Sequence, residues 1–459
     1  MTAPALAGLL ALNALYLLGG LALIWLVRGF ATWLEVARFA GLALLTGVTA
    51  IGVVWSLLLI VGLPFGLWTV VLVPVLVIAA SSIVARRRGR GLPTLPGIRV
   101  GRMHFVAAVG IAAAGVAFEA LFRVARLSGL YWWDAWSFWI PKAKAVYHLG
   151  KLDVEFFTTL PGPSYPPLLP VLDAAAFHVM GGTDVVTLHV QYWLFAVAFV
   201  WGFAGLLAER VPAWILWPFA LLIVVAPRVG RRAFIAEADL FLDFLFVLAA
   251  ILVVYWLLDR ERWRLVTATV LMGGMVMTKR EGLLFAAALL AAALIASARD
   301  WRFTAPRLGA VGLGVLAVAV PWRIWYLSRG VESEGAGGQL DPTENADRLW
   351  PSIRLALDVL FSSDYWSVAV PVAIGALVLA LLAGSYRLPV FLGSLVALVT
   401  LGGGWFTWAI PELPITQEFG SNPIVRYMGA AALLCIAASP LLLAAVWRRV
   451  TTDEAVDAR

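Results

Sequence analysis

The chain has 459 residues, 62% of them hydrophobic and 13% charged, with a mean hydropathy of +0.92. That balance excludes an ordinary soluble globular protein, and the continuous rather than alternating apolar runs exclude a β-barrel. The net charge of +7 sits on arginines in short loops between those runs, where it fixes membrane topology, so nucleic-acid binding is set aside.

Runs of about twenty apolar residues recur from end to end and predict an all-α polytopic membrane protein of about thirteen spans. Residues 1–27 lack a basic leader region and a cleavage site and read as a first span rather than a removed signal peptide. The first three spans are expected near 3–27, 39–62 and 65–85. They are followed by the most basic loop, Arg86-Arg87-Arg88-Gly89-Arg90 with Arg99 and Arg102. This loop is cytoplasmic by the positive-inside rule. Counting from it, the N-terminus is external and the fourth span, 104–126, runs outward.

That span delivers a long polar segment, 127–183, to the external face. Within it, residues 131–170 read YWWDAWSFWIPKAKAVYHLGKLDVEFFTTLPGPSYPPLLP. Asp134 stands among Trp132, Trp133, Trp136 and Trp139. A tryptophan belt explains the rings but not a carboxylate held among them, because its desolvation is costly unless it is paired. Such a group could act as general base toward a hydroxyl. Lys142 and Lys144 follow; on a helix over 135–149 they diverge by about 200°, so only one faces a given ligand. His148 and Tyr165 complete the segment's candidates.

Spans at 184–208 and 211–226 lead to a second external segment, Arg228-Val229-Gly230-Arg231-Arg232 through Glu237-Ala238-Asp239. Asp239 and Asp243 lie at i,i+4 on one face of the next span, 240–258. Residues 259–264 are cytoplasmic. Thr278-Lys279-Arg280-Glu281-Gly282 is an external turn between spans eight and nine, and 298–307 is again cytoplasmic. Span ten (308–327) leads to an external loop at 328–366. Arg387 falls inside, and a last external loop at 411–427 ends in Arg426-Tyr427. The final span, 428–447, leaves residues 448–459 as a cytoplasmic tail.

On this topology every lysine (Lys142, Lys144, Lys151, Lys279) is external, against the usual bias. A phosphate-bearing ligand is the simplest reason to place them there with Arg228, Arg231, Arg232, Arg280 and Arg426. Pairing with nearby acids, Glu237 and Glu281 among them, is the alternative. Cys435 sits in an apolar run and reads as packing. His104, His148, His178 and His189 are scattered, and no zinc-type cluster, phosphate-binding glycine loop or Ser-His-Asp order is present.

The order of these motifs resembles that of the C-type glycosyltransferases, membrane enzymes that use polyprenyl-phosphate sugars. The chain is similar to the branch holding the protein O-mannosyltransferases and the lipid A aminoarabinose transferases. Asp134 resembles the acidic motif opening that family's first external loop. Trp136 to Gly150 resembles its amphipathic segment, and Tyr165-Pro166-Pro167-Leu168 its Lys-Pro-Pro-Leu-like turn. Glu237-Ala238-Asp239 resembles the second acidic position, Lys279-Arg280-Glu281-Gly282 the basic turn, and Arg426-Tyr427 the late Arg-Tyr. The likeness covers about 104–447, leaving residues 1–103 as an extra three-span module with its basic loop. Ala135 stands where a second acid is usual, which leaves a divalent metal weakly supported, and Tyr165 replaces a lysine.

The resemblance implies a glycosyltransferase that moves a sugar from a polyprenyl-phosphate donor to a glycan, lipid or protein acceptor at the external, periplasmic face. Asp134 would be the base, with Glu237 or Asp239 orienting the acceptor. Lys142, Lys144, His148, Tyr165, Arg231, Lys279, Arg280, Glu281, Arg426 and Tyr427 would contact substrate. An arginine-rich, lysine-poor composition suggests a high-GC bacterium, its inner membrane and a cell-envelope glycan. A flippase for a lipid-linked saccharide would use the same groove and basic residues without chemistry.

Overall fold

A computed structural model describes residues 1–97, 101–130, 132–331, 346–409, 415 and 424–457, with side chains as far as Thr451. The predicted external loops at 328–366 and 411–427 therefore lie partly outside the described residues. Among the described residues everything with regular structure is helical, and the one β-bridge, Thr32 to Thr94, is isolated.

The helices, in chain order, are α1 (Ala3–Val27), α2 (Trp33–Ile60), α3 (Leu67–Arg87) and α4 (Arg102–Ala125), then α5 (Ile140–Leu149), α6 (Val154–Thr159) and α7 (Leu168–Met180). Next come α8 (Val185–Leu207), α9 (Ala213–Val225), α10 (Pro227–Arg232), α11 (Ala238–Asp259), α12 (Arg262–Thr278) and α13 (Glu281–Ala296). The chain closes with α14 (Trp301–Leu327), α15 (Ala346–Leu360), α16 (Ser363–Trp366), α17 (Ala369–Leu382), α18 (Arg387–Ala409) and α19 (Ile424–Asp457). Among the described residues nine helices are long and apolar enough to cross a membrane, or ten if the pair bent by 109° between Trp366 and Ala369 is one span. A count of thirteen needs shorter helices, α9, α12 and α13 among them, to cross as well. The architecture is compatible with a polytopic membrane protein.

The centre of the molecule is α11, buried along its whole length from Ala238 to Leu257. Its composition explains this: after Asp243 it carries no charged side chain until Asp259, so no face prefers water. One hydrophobic core runs from Ala5 to Ala444. The first three helices join it through small residues. A Cβ on Gly20 would come to 1.7 Å of the Ala43 carbonyl oxygen, and one on Gly47 to 1.8 Å of the Tyr16 oxygen, so α1 and α2 cross backbone to backbone. Gly41 and Gly202 bring α2 close to α8 in the same way, a Cβ there coming to 2.3 Å of the Ala198 oxygen and 2.7 Å of the Leu42 nitrogen. By contrast α4 is buried only along a stripe of Gly110, Ala114, Phe118 and Ala125 and presents its other faces outward.

Counting signs along the chain gives two opposite ends, and the ion pairs respect them. At one end Glu209 accepts from Arg38 (2.9 Å) and Arg264 (2.8 Å), and Asp259 from Arg210 (3.0 Å). At the other end lie Asp134, Asp239, Lys279 and Arg426. Asp239 and Asp259 are twenty residues apart on one helix, about 30 Å.

Candidate functional site

The segment after α4 is wound by its own proline. Residues 135–149 form one continuous helical stretch, but Pro141 has no N–H to give and its ring would crowd the carbonyl of Ser137. The ladder slips by one residue, so that Ala135–Trp139 is a π turn whose last bond runs from the Ile140 N–H to the Ala135 carbonyl. Such turns recur at functional sites. Asp134 immediately precedes it. Its carboxylate is 2% exposed, whereas the neighbouring Trp133 and Trp136 are 53% and 51% exposed.

Asp134 is paired to Arg426, at the start of α19. Nη1 of Arg426 lies 2.6 Å from Oδ2 of Asp134, and Nη2 donates to Oδ1 at 3.1 Å. The same guanidinium reaches Asp239 through Nε at 3.5 Å. Asp239 also accepts from Lys279 Nζ at 2.7 Å and from Arg232 Nη1 at 3.2 Å. Lys279 lies 3.1 Å from Glu281, and Arg232 donates to Glu237 at 2.9 Å. Four cations (Arg232, Lys279, Arg280, Arg426) thus stand among four carboxylates (Asp134, Glu237, Asp239, Glu281). Each lies at a helix end, and Asp239 is the node.

Burial sets the electrostatics. It lifts the Asp134 carboxyl above its ordinary value, with Arg426 pulling against the shift and Asp239 adding to it. Glu237 is pushed up to about 6 by the same desolvation, opposed by Arg232 and helped by Asp239. Burial alone would lower the Lys279 ammonium, but Asp239 and Glu281 hold it well above the usual lysine value.

Aromatic side chains close the cluster. Tyr165 stacks on Trp139 with ring centroids 5.6 Å apart and planes 10° from parallel. Lys279 and Arg280 lie 5.4 and 5.0 Å from the Tyr165 ring. Arg232 sits 4.1 Å from the ring of Trp132. Tyr427 packs on Phe406 and Phe285 and lines, with Asp239, Asp243, Lys279, Glu281 and Arg426, a cavity of about 10 Å³. That is room for a single water. Oε2 of Glu281 and Oδ2 of Asp243, on that cavity, and Oε2 of Glu237, elsewhere in the cluster, are buried without a hydrogen-bond partner among the described residues.

Some residues singled out by sequence stand elsewhere. Lys142 is fully buried and donates from Nζ to the carbonyls of Gly162 (2.6 Å) and Pro161 (3.1 Å), 5.6 and 5.2 Å from the rings of Phe138 and Phe157. It clamps the turn that carries Tyr165. Lys144 diverges from it toward partial exposure, as their spacing requires. His148, near the far end of α5, is exposed beside Tyr147. Arg231 is exposed, and its neighbour Arg232 enters the cluster instead. The readable signal was spacing: Arg228 and Arg232 are i,i+4 on α10, facing Asp239 and Asp243, i,i+4 on α11. Arg228 is itself buried, and a Cβ on Gly429 would lie 2.9 Å from its Nε and 3.0 Å from Asp243 Oδ2.

No three His, Cys, Asp or Glu side chains among the described residues are grouped as metal ligands would be. Asp134, Glu237, Asp239 and Glu281 are each paired with a guanidinium or ammonium group.

An apolar groove runs beside the site. Two contiguous cavities of about 500 and 610 Å³ share Ile111, Trp201 and Trp217 and follow α4 from His104 to Phe122 against α8 and α9. The upper end is bounded by Trp193, which packs with Trp132 around Phe234 and Ile235. No protein-family model, curated protein or solved structure matches this chain.

Proposed function

We propose that the protein is a glycosyltransferase that moves a sugar from a polyprenyl-phosphate donor to an acceptor hydroxyl at the face carrying Asp134, external by the arginine count. The observation that carries this reading is the convergence of Asp134, Glu237, Asp239, Lys279, Glu281 and Arg426 in one buried charged cluster beside a lipid-accessible apolar groove. An isoprenoid chain needs an apolar channel open to the bilayer, and the groove along α4 offers one about 27 Å long, from His104 to Phe122 at helical rise. In this reading the phosphate enters past Trp132, over which Arg232 lies, and is taken by Lys279 and Arg426, whose present carboxylate partners hold them in place until a stronger anion arrives, with Arg280 beside Tyr165 next to them.

In this reading Asp134 takes the proton from the acceptor hydroxyl. The hydroxyl oxygen attacks the anomeric carbon, the carbon–oxygen bond to the phosphate breaks, and polyprenyl phosphate leaves with the electron pair. Attack opposite the leaving group inverts the anomeric centre. Two features favour Asp134 as the base. Burial makes its carboxylate more basic than a solvated one, and a carboxylate engaged twice by Arg426 keeps further lone pairs for the substrate. Glu237 and Asp239 orient the acceptor, and Trp133 and Trp136 offer exposed faces for a sugar ring.

The test uses proteoliposomes loaded with a polyprenyl-phosphate sugar radiolabelled in the sugar. Label found covalently on an acceptor supports the transferase. Label that crosses between leaflets while still attached to its prenyl carrier contradicts it and makes the protein a flippase.

A further inference from the structure

The opposite end of the bundle holds a second basic cavity that the proposed reaction does not use. Its acids are already engaged. Besides Glu209 and Asp259, Glu261 accepts from Trp263 Nε1 (2.6 Å) and Arg264 (3.2 Å), and Asp300 from Arg260 and from Arg387 (3.4 Å). Arg262 and Arg307 have no carboxylate partner among the described residues; Arg307 donates only to the Phe303 carbonyl of its own helix. Both line, with Arg260, a cavity of about 800 Å³ between the starts of α12 and α14.

The cavity has an apolar floor. It descends from Arg262 to Thr269 on α12, seven residues or about 10 Å, and from Arg307 to Val311 on α14. Val266, on that wall, is 46% exposed and opens the cavity sideways. Phe303 stands under the guanidiniums, 3.5 Å from Arg307 and 4.9 Å from Arg260. Arg260 itself has φ +62, a left-handed C-cap where glycine would be less strained, so the position keeps an arginine against backbone preference.

From this geometry we infer that the cavity binds an anionic phospholipid of the leaflet at this end, its phosphate between Arg262 and Arg307 and one acyl chain along Val266, Thr269 and Val311. Arginines that only fix topology need a loop and nothing more. Here the guanidiniums of Arg262 and Arg307, without carboxylate partners among the described residues, line one cavity with an apolar, laterally open floor, which matches a molecule with one phosphate and a hydrocarbon tail. The cytoplasmic leaflet, to which the arginine count assigns this end, is the anionic one.

The test is the lipid retained by the purified full-length protein after equilibration with equal phosphatidylglycerol and phosphatidylcholine, read by mass spectrometry of the intact complex. Wild type is expected to retain phosphatidylglycerol preferentially. Arg262→Gln and Arg307→Gln are each expected to weaken that retention roughly five-fold, equivalent to about 1 kcal/mol per arginine at a membrane surface. Arg262→Lys keeps most of it, and Arg302→Gln, outside the cavity, leaves it unchanged. Equal retention of the two lipids by wild type overturns the site, and this outcome needs no variant to fold. Phosphatidylglycerol retention in the double variant equal to wild type overturns it too, as does an equal loss in Arg302→Gln, which would mean adventitious surface charge only.

Discussion

Arg426 and Asp134, 292 positions apart, share an ion pair at 2.6 Å and a hydrogen bond at 3.1 Å and tie the start of the last helix to the segment that follows the fourth. Few other contacts in the molecule say as much about it. The pair closes the charged cluster across the fold, and through Asp239 it couples four separate helix ends. Removing one partner of a largely buried pair leaves the other uncompensated and costs about 3–5 kcal/mol. Asp134→Asn keeps the shape and one acceptor, so its cost is expected at or below the lower end. The double variant with Arg426→Gln should lose less than the sum of the singles. A double-mutant cycle on thermal unfolding in detergent measures this, and additive losses would mean that the two residues are not coupled.

Lys279→Met is expected to be the most damaging single change in the cluster. The ammonium is nearly inaccessible and neutralises Asp239 and Glu281 together. Methionine fills the volume but leaves two carboxylates facing each other, a loss of about 3 kcal/mol or more. Lys144→Met, on the diverging face, is expected to fall within about 0.5 kcal/mol of wild type. Comparing the unfolding temperatures of the two variants checks the contrast.

Glu237 gives a pH dependence with a definite sign. Its folded value, about 6, lies above the ordinary 4.5. The folded state therefore holds the proton more tightly, and this residue's contribution is fully present below pH 4.5 and lost as pH rises through about 6. The loss is of order 2 kcal/mol at 1.36 kcal/mol per unit. Glu237→Gln still accepts from Arg232 but does not titrate. Its stability relative to wild type should rise between pH 4 and pH 7 (the window set by those two values), and a constant difference across that range would contradict the assignment.

The clamp at Lys142 predicts a structural loss distinct from a catalytic one. Lys142→Met removes the donor from the buried carbonyls of Pro161 and Gly162, at about 1–3 kcal/mol for the groups left unsatisfied. It also frees the turn that seats Tyr165 on Trp139. Lower thermal stability with raised protease sensitivity at 160–166 is the expected signature. Arginine is not expected to rescue it, because the side chain is fully enclosed.

Much of this was legible in the sequence, for a simple reason. Hydropathy and arginine placement report on single segments, and segments alternate sides, so the residues now found at one end could be sorted by counting spans. Asp134, Asp239, Lys279 and Arg426 fall on one side by that count and meet in the structure. Arg38, Glu209, Asp259 and Arg264 fall on the other and also meet. The number of crossings was harder to read, because α9 and α13 are apolar but only 13 and 16 residues long, and α12, with 17, opens on two arginines; such short runs do not declare whether they span. The clamp at Lys142 depends on which lysine faces a turn twenty residues away, which spacing leaves open. The choice of Arg232 over Arg231 follows the phase of the six-residue helix that starts at Pro227, which the i,i+4 spacing of Arg228 and Arg232 reports.

The central claim, that Asp134 is the base of a sugar transfer, is tested most directly by single-turnover release of polyprenyl phosphate from a polyprenyl-phosphate sugar, measured against pH in wild type and Asp134→Asn. Wild type is expected to show an acidic limb displaced above the ordinary aspartate value of 3.8, because burial raises this carboxyl. Asp134→Asn is expected to lose about two to four orders of magnitude in rate, with its unfolding transition still cooperative. A folded Asp134→Asn variant that releases polyprenyl phosphate at the wild-type rate, with the same acidic limb, would contradict the claim.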